Sequence, residues 1–220
     1  LKLKGHNLSI LVPVLNRPHR VQPIIDSARA ATAGAEVLFI ADPDDYPEIE
    51  ALEDAGADFV TYSGGYAGKI NYGVRQTNRP LIFTGADDLH FHPGWFEIAC
   101  DRLTPEIQVV GTNDLCSGRV RMGHHATHLL MTREYALRPT ADGQDGPFCT
   151  AYHHWYCDDE LVETAVSRKA IAFATDSIVE HYHPMVGKAV DDATYRKGQS
   201  RRTEDKRLFL RRRKFWKSRS

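Results

Sequence analysis

Two adjacent acids, Asp87 and Asp88, follow the short apolar run Leu81-Ile82-Phe83-Thr84 after Gly85 and Ala86. Paired carboxylates at the carboxyl end of a strand suit a hard divalent cation, which takes oxygen ligands and often reaches the protein through carboxylates plus substrate phosphates. A second acidic group, Asp158-Asp159-Glu160, heads a helical pattern that runs to about Lys169. Acids there either favour the positive end of the helix dipole or take a proton from a reacting hydroxyl. Lys69 and Asn71 lie near the start of a helix opened by Ser63-Gly64-Gly65, where backbone N–H groups and the dipole favour phosphate. His181 and His183 share one face of a strand pattern, and imidazole suits Mn²⁺ or Zn²⁺.

These groups need a scaffold, and the hydrophobic pattern supplies one. Leu8 to Val12 reads as a buried strand; Pro18 opens a helix with Val21, Ile24, Ile25, Ala28 and Ala31 on one face. Glu36 to Ala41 is a second strand, Pro47 opens a helix ending at Gly56, and Asp58 to Tyr62 is a third strand. The helix from about Tyr66 and the strand Pro80 to Thr84 complete a fourth unit. Strands alternating with helices of about ten residues imply right-handed crossovers and a mostly parallel sheet covered on both faces. Ligands of such sheets lie beyond the carboxyl ends of the strands. Asn16-Arg17, Asp42 to Asp45, Ser63 to Gly65 and Asp87-Asp88 all fall at those ends. Further on, a helix from Pro93 to about Leu103 and strands at Ile107–Gly111, His128–Thr132 and Ile178–His183 are expected, with a Pro- and Gly-rich loop over 138–147.

In this order the segments PVLNRP, IADPDD and GYAGKINYGVRQTNRPLIFTGADD resemble family-2 glycosyltransferases of the GT-A fold, over about Leu8 to Asp88 and more loosely to His183. The resemblance implies a GT-A type αβα sandwich with a mostly parallel sheet. It implies a single domain over 1–200, with a donor-binding half at about 8–92 and an acceptor and catalytic half at about 93–190. The family's acid-any-acid motif coordinates Mn²⁺ or Mg²⁺ on the donor diphosphate. Asp87 matches its last acid, and Gly85 stands where its first acid would be, so Asp87 and Asp88 are the expected ligands. His183, before Pro184, resembles a late histidine ligand.

By the same resemblance Pro13, Leu15 and Asn16 match the loop that packs on the nucleotide base, and Asp42 or Asp44 matches the acid on base or ribose. Lys69 and Asn71 complete the donor set, although Lys69 in solvent and Asn71 tying a neighbouring loop is the simpler reading. One of Asp158 and Asp159, with Asp159 preferred, sits where inverting members place the general base. The implied activity is hexosyl transfer from a nucleoside diphosphate sugar to a hydroxyl-bearing acceptor. Two alternatives stand beside it. A nucleotidyltransferase would carry a Gly-rich basic loop that Pro13 to Arg20 lacks, and a non-catalytic protein would grip nucleic acid through a basic tail.

At 220 residues and 42% hydrophobic content, the chain can bury one sizeable core. The net charge of -1 hides an asymmetry, because Arg201 to Ser220 holds ten Lys or Arg against two acids. That tail could lie on an anionic surface or pack Leu208 and Phe209 on the body. The run Leu8 to Leu15 is far below the roughly 18 residues of a membrane span, and no secretory signal is visible, so a cytoplasmic location is expected. Cys100, Cys116, Cys149 and Cys157 show no C-x-x-C spacing, which argues against a redox motif or a Cys-pair zinc site. His124, His125, His128, His153 and His154 lack any zinc-ligand spacing and are expected at the surface or the acceptor site.

Overall fold

The computed structural model describes residues 3–217. Three β/α units and a fourth strand open it: β1 (Leu8–Pro13), α1 (Val21–Ala31), β2 (Glu36–Ala41), α2 (Tyr46–Asp54), β3 (Asp58–Thr61), α3 (Tyr66–Gln76) and β4 (Leu81–Thr84). The expected helix start at Pro18 is a 3-10 turn, Pro18–Arg20, and the α-helix proper begins at Val21. Beyond β4 come β5 (Leu89–Phe91), α4 (Trp95–Cys100), β6 (Val109–Asn113), α5 (Gly118–Arg121), β7 (Leu129–Thr132) and α6 (Arg133–Ala136). The chain continues through α7 (Cys157–Ser167), β8 (Ile171–His181), α8 (Ala193–Ser200), α9 (Arg202–Arg212) and α10 (Lys214–Lys217).

The strands form one eight-stranded sheet in the order β3-β2-β1-β4-β7-β6-β8-β5. The first four are parallel, and burial on both faces accounts for the apolar runs of β1, β2 and β4, which have no polar side to alternate with; β3 is the partly exposed edge. Leu8, Ile10 and Val12 pack with α1 and α4, whereas Leu11 faces the opposite core of Ile70, Tyr135 and Leu161. Two cores therefore sandwich the sheet, as an αβα architecture requires.

The second half mixes strand directions, within a sheet expected to be mostly parallel. β7 runs antiparallel to both β4 and β6, and β5 runs antiparallel to β8. β8 begins at Ile171, seven residues before the expected strand, and pairs in parallel with β6 until a bulge at Thr112/Asn113. Past the bulge it turns to β5 in the register Leu89↔His181. This crossing is what carries His181 to Asp88, whose carbonyl accepts from Tyr182 N at 2.8 Å.

The basic C-terminal segment packs on the body through α9 and α10. Phe209, Trp216 and Arg212 are buried, and Tyr156 stacks on Phe209 at 5.4 Å between ring centroids. Asp205, 1% exposed, accepts from the backbone N–H of His153, His154 and Trp155 at 3.0, 2.9 and 2.9 Å. Of the tail, Ser218 to Ser220 lie outside the described residues. No helix among the described residues is long and apolar enough to cross a membrane.

Candidate functional site

The carboxyl ends of β1, β2 and β4 converge on one edge, and the loop after β1 is its first wall. Asn16 takes φ 55, and its N–H donates to Asp45 Oδ2 at 2.6 Å; Arg17 N donates to Glu48 Oε2, also at 2.6 Å. Asp45 and the fully buried Glu48 thus hold the loop from α2, and burial pushes the Glu48 carboxyl above its usual range. Lys69, 3% exposed, donates to Val14 O at 2.7 Å and to Asp42 Oδ2 at 2.6 Å. Lys69 is therefore neither in solvent nor free for a phosphate: it bridges the β1 and β2 loops. Pro13 and Leu15 are half-buried on that wall and Asp44 is exposed beside it. The Asn71 amide is spent on the loop over 138–147 and its end, bonding Phe148 in both directions (2.7 and 3.1 Å) and Asp145 O at 3.3 Å.

Asp87 and Asp88 form the floor, at 8% and 6% exposure. Residue 85 has no room for an acid: a Cβ there would lie 2.8 Å from Leu11 O, which accepts the Gly85 N–H at 2.8 Å. Arg17 donates to Asp87 Oδ1 at 3.0 Å, and Arg20 lies 3.6 Å from Asp87 and 3.5 Å from Asp88. Asp88 Oδ2 accepts from Tyr195 at 2.7 Å and meets His181 Nε2 at 3.1 Å. Its other oxygen, Oδ1, is buried without a hydrogen-bond partner.

Burial and the neighbouring Asp88 raise Asp87 to about 7. Burial pushes Asp88 the same way, but the charge and hydrogen bond of His181 outweigh it and hold this carboxyl far below the usual range. His183 stands 5.1 Å from His181, ring to ring; its Nδ1 accepts from Met185 N at 3.1 Å. Burial and His181 lower His183 to about 4, so its imidazole is neutral near pH 7, the form that ligates metals. The unpartnered Asp88 Oδ1 and this neutral imidazole suit a divalent cation, while Arg17 and Arg20 already balance Asp87.

A second cluster stands at the start of α7. Tyr156, in the left-handed region at φ 68, turns the chain into Asp158 and Asp159. His125 Nε2 lies 3.2 Å from Asp158 Oδ2, and its Nδ1, buried without a hydrogen bond, lies 3.9 Å from Asp159 Oδ1. Arg119 reaches Asp159 at 3.4 Å. These contacts split the pair. Burial raises both carboxyls; the His125 hydrogen bond brings Asp158 below its ordinary value, while repulsion from Asp158 leaves Asp159 above it. His125 is held above the usual imidazole value, because the hydrogen bond to Asp158 overcomes burial. Among the described residues, the ligand atoms of His125, Asp158 and Asp159 all lie within 4.8 Å of one another, as a metal ion would need; Asp87, Asp88 and His183 form no such set.

Several of these residues carry no local signal. Arg20 and Tyr195 enter only through tertiary contacts, Arg17 showed only as part of a polar cluster after β1, and His181 only as sharing a strand face with His183. His125 and His128, expected at the surface or acceptor site, are buried at 7% and 3% exposure; His128 Nδ1 contacts Thr84 O at 2.8 Å. Their apolar flanks, Ala126 and Leu129, were the available hint.

No family model matches the sequence, and neither does any curated protein. Among solved structures the chain resembles glucosyl-3-phosphoglycerate synthase from Mycobacterium tuberculosis in complex with Mn²⁺ and uridine-diphosphate-glucose, with TM-score 0.61 and 14% identity over 89% of this chain and 76% of that one. It also resembles a mannosyltransferase from Pyrobaculum calidifontis in complex with GDP-Man and Mn²⁺, with TM-score 0.65 and 14% identity. That match covers 83% of this chain, which spans 58% of the mannosyltransferase's length.

Proposed function

On the GT-A fold, which the chain shares with those structures, we infer a glycosyltransferase that moves a sugar from a nucleoside diphosphate donor to a hydroxyl-bearing acceptor. The observation that carries this reading is the buried pair Asp87-Asp88 at the end of β4. It is flanked by two arginines and retains one unpartnered carboxylate oxygen. Asp88, Asp87 and His183 would hold Mn²⁺ or Mg²⁺, which supplies charge neutralisation to the leaving diphosphate. The β1 loop with Pro13, Leu15 and Asn16, together with Asp42 and Asp44, would flank base and ribose. Lys69 fixes the separation of these two loops.

In the transfer itself, the acceptor oxygen forms a bond to the anomeric carbon as the bond to the diphosphate oxygen breaks. The hydroxyl proton passes to a carboxylate at the head of α7. Asp159 suits that step, because its raised pKa brings proton affinity nearer the working pH, whereas Asp158 is spent on His125. A base on the acceptor side implies inversion of the anomeric centre. The outward basic residues of α9, Lys206, Arg207 and Arg211, suit an anionic surface carrying the acceptor.

Calorimetric titration with a panel of UDP- and GDP-sugars, with and without Mn²⁺, tests the reading. At least one nucleotide sugar is expected to bind, about tenfold more tightly with the metal, and Asp88→Asn is expected to remove the metal-dependent part. Failure of every nucleotide sugar to bind, or binding indifferent to both metal and Asp88→Asn, overturns it.

The base carries its own pH signature. A carboxylate accepts a proton only when ionised, so the transfer rate rises with pH through a value raised from that of an ordinary aspartate by burial and by Asp158. The positive charge of His125 holds Asp159 down from where Asp158 and burial would put it. His125→Gln removes that charge and is expected to move the acidic limb of the pH–rate profile to higher pH. A limb that stays in place or moves lower removes His125 from the base's surroundings.

A further inference from the structure

One helical turn closes the edge on which this site lies. Asp192, the N-cap of α8, accepts from Arg17 through both carboxylate oxygens, at 2.8 and 3.0 Å. Three residues on, the Tyr195 hydroxyl donates to Asp88 Oδ2 at 2.7 Å and accepts from Arg20 at 3.0 Å. The Arg17 guanidinium lies 3.9 Å from the centroid of the Tyr195 ring, and Thr194 Oγ1 reaches Leu15 O at 3.4 Å. The side chains of Asp192, Thr194 and Tyr195 thus each reach the β1 loop or the acid pair at the end of β4, and the Tyr195 hydroxyl also lies 3.2 Å from Tyr182 O. The sequence separation is about 175 residues, so the contact owes nothing to local chain geometry.

A carboxylate in a two-point bond with a buried guanidinium uses the geometry by which arginine also takes phosphate. Arg17 is 5% exposed and held by Asp87 on its other side, so its fork is already oriented. We propose that Arg17 and Arg20 form a diphosphate-binding site that Asp192 and Tyr195 of α8 occupy in the resting protein, making α8 an internal competitor that an incoming diphosphate displaces. The class of ligand follows from the charges, since an anion bearing more charge than one carboxylate can take the places of the Asp192 carboxylate and the Tyr195 hydroxyl on the two guanidiniums. Tyr195 meanwhile ties down the same carboxylate through Oδ2, beside the Oδ1 of Asp88 that a cation would take. Displacing the turn therefore frees the arginine fork and this carboxylate at once. The body around the plug has few apolar ties to it: none of the residues of α8 is buried. A segment held mainly by polar contacts is drawn from the less stable end of a structure.

This inference rests on the donor reading above for its purpose but not for its test, which uses inorganic pyrophosphate as the probe. Asn is as good an N-cap as Asp, so Asp192→Asn removes the carboxylate charge while keeping the acceptor that Tyr195 N uses at 3.0 Å. Calorimetry is expected to show pyrophosphate binding about tenfold more tightly to Asp192→Asn than to the unaltered chain. Tyr195→Phe, which keeps the ring over Arg17, is expected to shift affinity in the same direction by less. Saturating the unaltered chain with pyrophosphate is expected to speed amide hydrogen exchange over 193–200. Equal, weaker or absent binding in Asp192→Asn overturns the proposal, as does unchanged exchange at saturation. Tighter pyrophosphate binding in a chain that takes no nucleotide sugar would leave the competitor standing and remove the transferase reading alone.

Discussion

Asp159→Asn is expected to lower the transfer rate by about 10²- to 10⁴-fold while leaving nucleotide-sugar affinity within error of the unaltered chain. The substitution keeps shape and removes the proton acceptor, so the loss belongs to kcat. The donor site is unaffected because its acids, Asp87 and Asp88, are held by Arg17, Arg20, His181 and Tyr195 rather than by α7. Asp158→Asn separates the two neighbours. It breaks the 3.2 Å contact with His125 and the like-charge repulsion that raises Asp159. Removing that repulsion lowers the Asp159 pKa, so the acidic limb of the pH–rate profile is expected to move to lower pH. Transfer rates on the two variants, read with the donor identified by calorimetry, decide the assignment. A full loss in Asp158→Asn beside near-normal rates in Asp159→Asn would sink it.

Arg212→Ala is expected to destabilise the fold by about 3–5 kcal/mol, the cost of breaking a buried ion pair from one side. Arg212 donates to both oxygens of Glu160, at 2.7 and 2.8 Å, and to both of Asp142, at 2.7 and 2.8 Å. Its side chain is 8% exposed and that of Glu160 is 5% exposed, so water cannot replace the lost partner. Glu160 would keep only the Tyr152 hydroxyl, at 2.7 Å. For a domain of this size the loss corresponds to a melting temperature lower by roughly 10 °C.

The pH dependence follows from Asp142, whose carboxyl the Arg212 hydrogen bonds hold well below the usual carboxylate range. A depressed folded-state pKa contributes stability above the unfolded value, near about 3.9, and loses it as pH falls toward the folded value. The gap between the two proteins is therefore expected to narrow below about pH 4. Chemical denaturation at neutral pH and at pH 3 reads both effects, and a neutral-pH difference under about 1 kcal/mol would show the network to be dispensable.

The stability network and the base share a cause. α9 holds residues 153–155 through Asp205 and Glu160 through Arg212, so it flanks the turn that aims Asp158 and Asp159 from both sides. The basic tail is a buttress of the second cluster, with its outer face left to solvent. From sequence its charge was visible and packing of Leu208 and Phe209 on the body was one of two readings, but the polar contacts that fix the docking were not legible, because Asp205 and Arg212 look like two ordinary members of a mixed charge run.

β1, β2 and β4 were legible because each is a buried apolar run bounded by turn residues, and the edge strand β3, exposed at Asp58 and Thr61, showed through its apolar centre and its place in the alternation. The second half was less so. β5 has three residues, too short for a periodic signal, and β8 carries the polar Thr175, Asp176 and Ser177 at its bulge, which breaks the pattern where it joins β6. The acid pairs were found because adjacent carboxylates at the end of an apolar strand or at a helix start are rare enough to stand out. Their partners were not, since a single Arg, His or Tyr has many uses.

By itself the sequence determined the parallel half-sheet, the edge on which ligands collect and the two carboxylate pairs, all of which depend on residues within a few positions of one another. Only the tertiary structure decided what those carboxylates face. It set Arg17 and Arg20 against Asp87 and Asp88, His125 between Asp158 and Asp159, and Asp192 on the arginine fork from far along the chain. Burial and neighbouring charge settle which acid is ionised and which takes a proton, and both are properties of the packed molecule that no local pattern encodes.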